Sequence, residues 1–212
     1  MRNTSSSWMY EQFGLEGLQG KLDGFKRGEM MKPVVIWLDD LLSSPHEEVL
    51  RHWKTYLDSS CDLRQVTSVR QFSDLLLRLM HDQQPVHGLL IDLMLTHGED
   101  ETNMSPLGVP TQTIKPERAG LQLLKILRSE TYDAVGAMPR ATHVECFARV
   151  SCALFSTNSE VSTKDLFLRE FSQREVDQAM KDICCIYQSD DPTRTLTQLA
   201  AWVSSLPANV TP

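Results

Sequence analysis

Three aspartates stand where apolar runs stop. "VVIWLDD" (34–40) closes on Asp39 and Asp40, and "GLLIDLM" (88–94) carries Asp92 two residues before its end. An unpaired charge beside a core costs several kcal/mol, so either the runs end at these residues and leave them at the lip of a sheet, or the carboxylates share a partner. Two other apolar runs also close on polar groups: "RVSCALFST" (149–157) on Ser156 and Thr157, and "ICCIYQS" (183–189) on Gln188 and Ser189. If all of these are parallel strands, their carboxyl ends meet at one edge. Carboxylates gathered within a few ångströms repel one another unless a cation joins them, and a hard all-oxygen set suits Mg²⁺, which keeps some of its waters and leaves room for a phosphoryl group. Asp39 and Asp40 also have an ordinary alternative, capping the helix that follows.

The elements that would hold these residues follow from periodicity. From Pro33 onward, short β-branched runs alternate with longer amphipathic ones, the pattern of βα units in a parallel sheet covered on both faces. "SPHEEVLRHWKTYLDSS" (44–60) reads as a helix with Ser44 as N-cap and Pro45 in its first turn. "DLRQVTSV" (62–69) reads as a strand and "RQFSDLLLRLMHD" (70–82) as a helix with Phe72, Leu75, Leu76 and Leu79 turned inward. After the Asp92 strand comes the helix "AGLQLLKILRSE" (119–130), then an irregular stretch (131–148) and the 149–157 strand. Helical segments around "TKDLFLREF" and "SQREVDQAMKD", split by a capping box of Ser172 and Glu175, precede the 183–189 strand. "DPTRTLTQLAAWVSSL" (191–206) is the last helix, with Asp191 as N-cap and Pro192 in its first position. The expected fold is a single α/β domain, a five-stranded doubly wound parallel sheet of flavodoxin-like type over residues 32–207. Its ligand site belongs at the carboxyl ends of the strands.

Outside that frame, residues 1–31 are polar and glycine-dense and read as a tail, as do 208–212. Lys26-Arg27-Gly28-Glu29 is compatible with a purine-rich ribosome-binding run, which makes Met30 or Met31 an alternative start. The formal charge of −7 over 212 residues, with no Lys/Arg block, argues against a nucleic-acid groove or an anionic membrane as the main partner. No apolar run approaches a membrane span, the N-terminus lacks the order of a signal peptide, and the five cysteines form no CxxC pair; a cytoplasmic location is expected. The six histidines show no metal-ligand spacing and are read as surface or helix-end residues.

With these features in place, residues 33–206 resemble the receiver domains of two-component response regulators. The likeness rests on the acidic pair after the first strand, the "IDLML" strand, the "GLQLLKILR" helix, the hydroxyl closing the fourth strand and the "QSDDP" turn into the last helix. It implies that Asp92 accepts a phosphoryl group from a sensor histidine kinase, with Mg²⁺ held by Asp40, Asp39, Asp92 and the backbone carbonyl of Met94. It also implies that Thr157, with Ser156 as competitor, hydrogen-bonds the phosphoryl oxygen. No output domain follows residue 206, so the expected protein is a stand-alone receiver that docks on an effector or passes phosphoryl groups to a second receiver.

The chain departs from the receiver pattern in two places. Gln188 stands where receivers carry a lysine, and an amide donates a hydrogen bond without bringing charge, which weakens phosphoryl stabilisation. Lys115 or Lys164 are candidate substitutes, and Tyr187 fits the family's aromatic switch position only loosely. The segment "HGEDETNMSPLGVPTQTIKPER" (97–118) is far longer than a usual strand-to-helix connection and reads as a lid, a partner-binding element or a disordered insertion. The alternative function is therefore a pseudo-receiver, an interaction module independent of phosphorylation. A phosphatase using Asp92 as nucleophile is a third reading, although the phosphatases of this chemistry place their acidic motif after the first strand.

Overall fold

A computed structural model describes residues 32–43, 47–95, 119–128, 147, 150–156, 165, 183–188 and 191–207. The predicted tails, the 97–118 segment, the two helical segments before the 183–189 run apart from Asp165, and Ser44, Pro45, Lys115, Thr157, Lys164 and Ser189 all lie outside the described residues. The described elements fall within the unit Pro33–Pro212.

Five strands form one sheet: β1 (Val34–Leu38), β2 (Asp62–Val66), β3 (Gly88–Asp92), β4 (Ser151–Ser156) and β5 (Ile183–Tyr187). All pairings are parallel and the order is β2-β1-β3-β4-β5. This is the flavodoxin-like arrangement expected from the alternation. The chain leaves β1 toward β2 and then crosses back past it to β3, so a crevice opens between the carboxyl ends of β1 and β3, where open α/β sheets bind ligands.

The described helices are α1 (Glu47–Ser60), α2 (Val69–His81), α3 (Ala119–Arg128) and α4 (Pro192–Ser205). Successive strand residues face opposite ways, and the core divides accordingly. Ile36, Leu38, Leu89, Ile91, Cys152 and Leu154 pack with Phe72, Leu76 and Leu79 of α2 and Leu121, Leu124 and Leu127 of α3. On the other side Val35, Trp37, Leu90, Ala153, Phe155 and Ile186 pack with Leu50, Trp53 and Leu57 of α1 and Leu199 and Trp202 of α4. The central strands are buried on both faces, which is why their sequences read as continuous apolar runs rather than alternating ones. Cys184 and Cys185 are half-buried on β5, an edge of the described sheet, and pack against the cores on its two faces.

Element ends differ from the sequence expectation where side chains cap the backbone. The β2 run stops at Val66 instead of Val69, since Ser68 in extended conformation caps α2 by accepting from Gln71 N, while Gln71 Oε1 accepts in return from the N–H and the hydroxyl of Thr67. At α4 the expected cap is present: Asp191 accepts from Thr193 N at 2.9 Å, with Pro192 in the first turn. Among the described residues no helix is long and apolar enough to cross a membrane.

Candidate functional site

The strand β1 ends at Leu38, one residue before the aspartate pair, and a 3₁₀ turn (Asp40–Ser43) follows at once. Asp39 directs that turn. Its Oδ1 accepts from Leu41 N at 2.9 Å and its carbonyl from Leu42 N at 3.3 Å, so one oxygen of Asp39 caps this short turn, whereas α1, the helix that the capping alternative concerned, begins only at Glu47. Asp39 N–H donates to Val66 O, which ties the site to the end of β2. Asp92 is the last residue of β3, aligned with Phe155 of β4, and its Oδ1 accepts from Met94 N at 3.3 Å.

One carboxylate oxygen from each of Asp39, Asp40 and Asp92 lies within 4.8 Å of the others. Asp39 and Asp40 are buried and Asp92 is half-buried. Loss of solvent pushes the Asp39 carboxyl up from 3.8 to about 7; the Leu41 N–H opposes this rise and the Asp40 charge adds to it. Asp92 is held well above the usual carboxylate range, first by burial and then by the Asp39 charge, against the bond from Met94 N. Trp37, two residues back along β1, lies beneath the cluster with its ring edge-on to Phe155, centroids 5.8 Å apart. Its buried indole N–H has no partner at hydrogen-bond distance, yet stands near enough to Asp39 to favour the ionised form.

The chain matches no protein-family model, no curated protein and no solved structure. The donor set therefore has to speak for itself. Three carboxylate oxygens gathered within 4.8 Å of one another are hard donors whose mutual repulsion a divalent cation would remove, and they fit Mg²⁺ on those grounds.

The other sequence candidates separate. Ser156 is buried and shares the parity of Leu154, so alternation turns it toward the α2/α3 layer, whereas Asp92 shares the parity of Leu90. Ser156 is thus on the opposite side of the sheet from Asp92, and its competitor Thr157 lies outside the described residues. Gln188 is half-buried just past β5, at the same sheet edge as Asp92, and its N–H donates to Ser156 O at 2.8 Å. Tyr187 is pinned by α4: its N–H donates to Gln198 Oε1 and its carbonyl accepts from the Thr195 hydroxyl. The Leu93 carbonyl accepts from Gly120 N, so this carbonyl is engaged with α3. The Met94 carbonyl is the next one along the chain.

Two residues escaped the sequence reading. Gly120, read only as part of a helix, presses its backbone against the Asp92–Leu93 peptide; a glycine in the first turn of a run of strong helix formers was the available signal. His87, read as a surface or helix-end residue, is buried, and its Nδ1 accepts from Val34 N at 2.9 Å while its backbone N–H donates to Val34 O. Nothing local distinguishes it, because its partner is 53 residues away.

Proposed function

We propose that the chain is a receiver-type phosphoacceptor: Asp92 takes a phosphoryl group from a histidine kinase in a Mg²⁺-dependent reaction, and the protein then signals through an effector or passes the group to a second receiver. The observation that carries the reading is the Asp39–Asp40–Asp92 cluster at the β1/β3 crevice. A bound Mg²⁺ would supply the positive charge that lets a dianionic phosphoryl group approach three carboxylates. Asp39, Asp40, Asp92 and the Met94 carbonyl are the groups that would hold it.

In the transfer, an Asp92 carboxylate oxygen forms the new P–O bond as the P–N bond of the donor phosphohistidine breaks, and the leaving imidazole keeps the electron pair and takes up a proton. Such a reaction needs in-line placement and charge neutralisation more than a separate general base. The bond from Met94 N to one Asp92 oxygen orients the carboxylate for that approach. Thr157 is assigned the hydrogen bond to the phosphoryl oxygen, and Gln188 the place of the missing lysine. The composition, net charge −7, favours protein partners over nucleic acid.

The test is incubation with Mg²⁺ and a small acyl phosphate. An acid-stable, base-labile adduct is expected, absent in Asp92→Asn and lost on chelation. No adduct under any divalent-metal condition overturns the reading.

One observation favours a second reading. Gln188 brings no charge to the edge where the acyl phosphate would stand, and a pseudo-receiver that docks without phosphorylation needs none. That reading expects Asp92→Asn to leave biological function intact.

A further inference from the structure

We propose that Gly120 is a positioning residue of the site: lacking a side chain, it lets α3 close on the Asp92–Leu93 peptide, and this closure sets where the Asp92 carboxylate stands relative to Asp39 and Asp40. The inference deepens the acceptor reading and rests on it for two of its three readouts.

The approach is backbone against backbone. A Cβ on Gly120 would run into the carbonyl oxygen of Asp92 and would stand 2.9 Å from both the Asp92 carbonyl carbon and the Leu93 Cα. None of these atoms belongs to a flexible side chain, so none can swing away. The Gly120 N–H donates to Leu93 O at 3.1 Å, drawing the first turn of α3 onto the same peptide. From the other side Leu93 N donates to Phe155 O of β4 at 3.0 Å, and Met94 N donates to the Asp92 carboxylate itself. The segment that bears the acceptor is therefore clamped between a helix and a strand.

Nor can α3 retreat to make room. Ala119, Leu121 and Leu124 are fully buried in the core shared with α2, so moving the first turn outward would open that core. The soft direction is displacement of the Asp92–Leu93 peptide, which carries the carboxylate with it. Misplacement of a reacting group by about 1 Å can cost about a hundredfold in rate. Helix propensity alone would make alanine the better residue at this position, so any loss on adding the methyl group runs against the local preference and reports the contact.

The experiment compares Gly120→Ala with Leu57→Ala. Leu57 is fully buried on α1 close to Cys61 and Asp62, which lie at the amino end of the sheet, remote from the site. Three readouts are taken: Mg²⁺ affinity by titration, the rate of adduct formation with a small acyl phosphate, and amide hydrogen exchange at Leu93 in the metal-free protein. Gly120→Ala should weaken Mg²⁺ binding at least about tenfold, slow adduct formation by about a hundredfold and speed exchange at Leu93. Leu57→Ala should lose thermal stability while keeping native Mg²⁺ affinity and native Leu93 exchange. Native Mg²⁺ affinity and native Leu93 exchange in Gly120→Ala overturn the proposal, as does an equal loss in Leu57→Ala.

If Gly120→Ala does not fold, the native protein decides. The Gly120 amide resonance should shift on Mg²⁺ addition with the same midpoint as those of Leu93 and Met94, and an unmoved Gly120 resonance overturns the proposal. If the native protein takes neither Mg²⁺ nor phosphoryl, the acceptor reading falls and Leu93 exchange alone judges Gly120: faster exchange confined to Gly120→Ala upholds the clamp, and equal rates in the two variants remove it.

Discussion

Asp39 and Asp92 are held as acids by the burial that places them, and this gives the site a signature in stability. Asp39 binds its proton up to about 7 in the folded protein against 3.8 in the open chain, and Asp92 shifts in the same direction. Between those values the native state holds more protons than the unfolded one, so the contribution is fully present below 3.8 and is lost as pH rises through about 7. Metal-free protein is therefore expected to lose thermal stability relative to Asp39→Asn as pH climbs through this window, with Mg²⁺ restoring the wild type most above neutrality, where Asp39 is ionised. Melting curves of both proteins with chelator or with Mg²⁺ check this, and a difference that does not vary with pH refutes it. His87 has the opposite sign: burial lowers its ring from 6.5, and the neutral Nδ1 accepts from Val34 N. Its contribution is present above 6.5 and lost as pH falls through the lower folded value. His87→Ala should cost about 1–3 kcal/mol above that range, and the gap to wild type in urea unfolding should close in acid. The aspartates were legible because a carboxylate at the end of an apolar strand is costly wherever it occurs. His87 and Gly120 were not, since each is defined by a partner that only the tertiary fold supplies.

At the scale of elements, α2 tests how far periodicity carries. Its inward face was read as Phe72, Leu75, Leu76 and Leu79; the structure buries Val69, Phe72, Ser73, Leu76 and Leu79 and leaves Leu75 half-buried. Leu76 is fully buried while its neighbour Leu77 is 40% exposed. Leu76→Ala should thus cost about 2–5 kcal/mol, Leu77→Ala within about 0.5 kcal/mol, and Ser68→Ala about 1 kcal/mol through the lost cap. Denaturant midpoints of the three variants separate these effects, and equal losses at positions 76 and 77 would mean that the helix is rotated from the described face. The boundary between β2 and α2 shows where sequence runs out. Val66, Thr67 and Val69 are all β-branched and read as one strand, yet the Ser68–Gln71 and Gln71–Thr67 hydrogen bonds start the helix at Val69. Competition between a strand pattern and a cap is settled by the packing of Val69 into the α2/α3 layer, which local propensity does not contain.

At the scale of the molecule, the β2-β1-β3-β4-β5 order puts the two strands that deliver the aspartates inside the sheet, each bonded on both sides, and leaves β2 and β5 at the edges of the sheet that the described residues form. The alternation of βα units made this architecture readable, because continuous apolar runs separated by amphipathic ones have few other ways to bury themselves. A site built on interior strands couples to global rather than local opening. Amides of β1 and β3 should therefore exchange only through whole-molecule unfolding, and those of β2 and β5 through smaller fluctuations. A cation that binds the native cluster at about 100 times its Kd stabilises the fold by about 2.7 kcal/mol, which slows globally exchanging amides about a hundredfold. Mg²⁺ is accordingly expected to slow exchange in β1 and β3 by that factor while edge amides change far less, as followed by hydrogen–deuterium exchange with and without the metal. Uniform slowing across all five strands would show that the edges also open only globally. No slowing in β1 and β3 would separate the aspartate cluster from any cation and remove the basis for the phosphoacceptor reading.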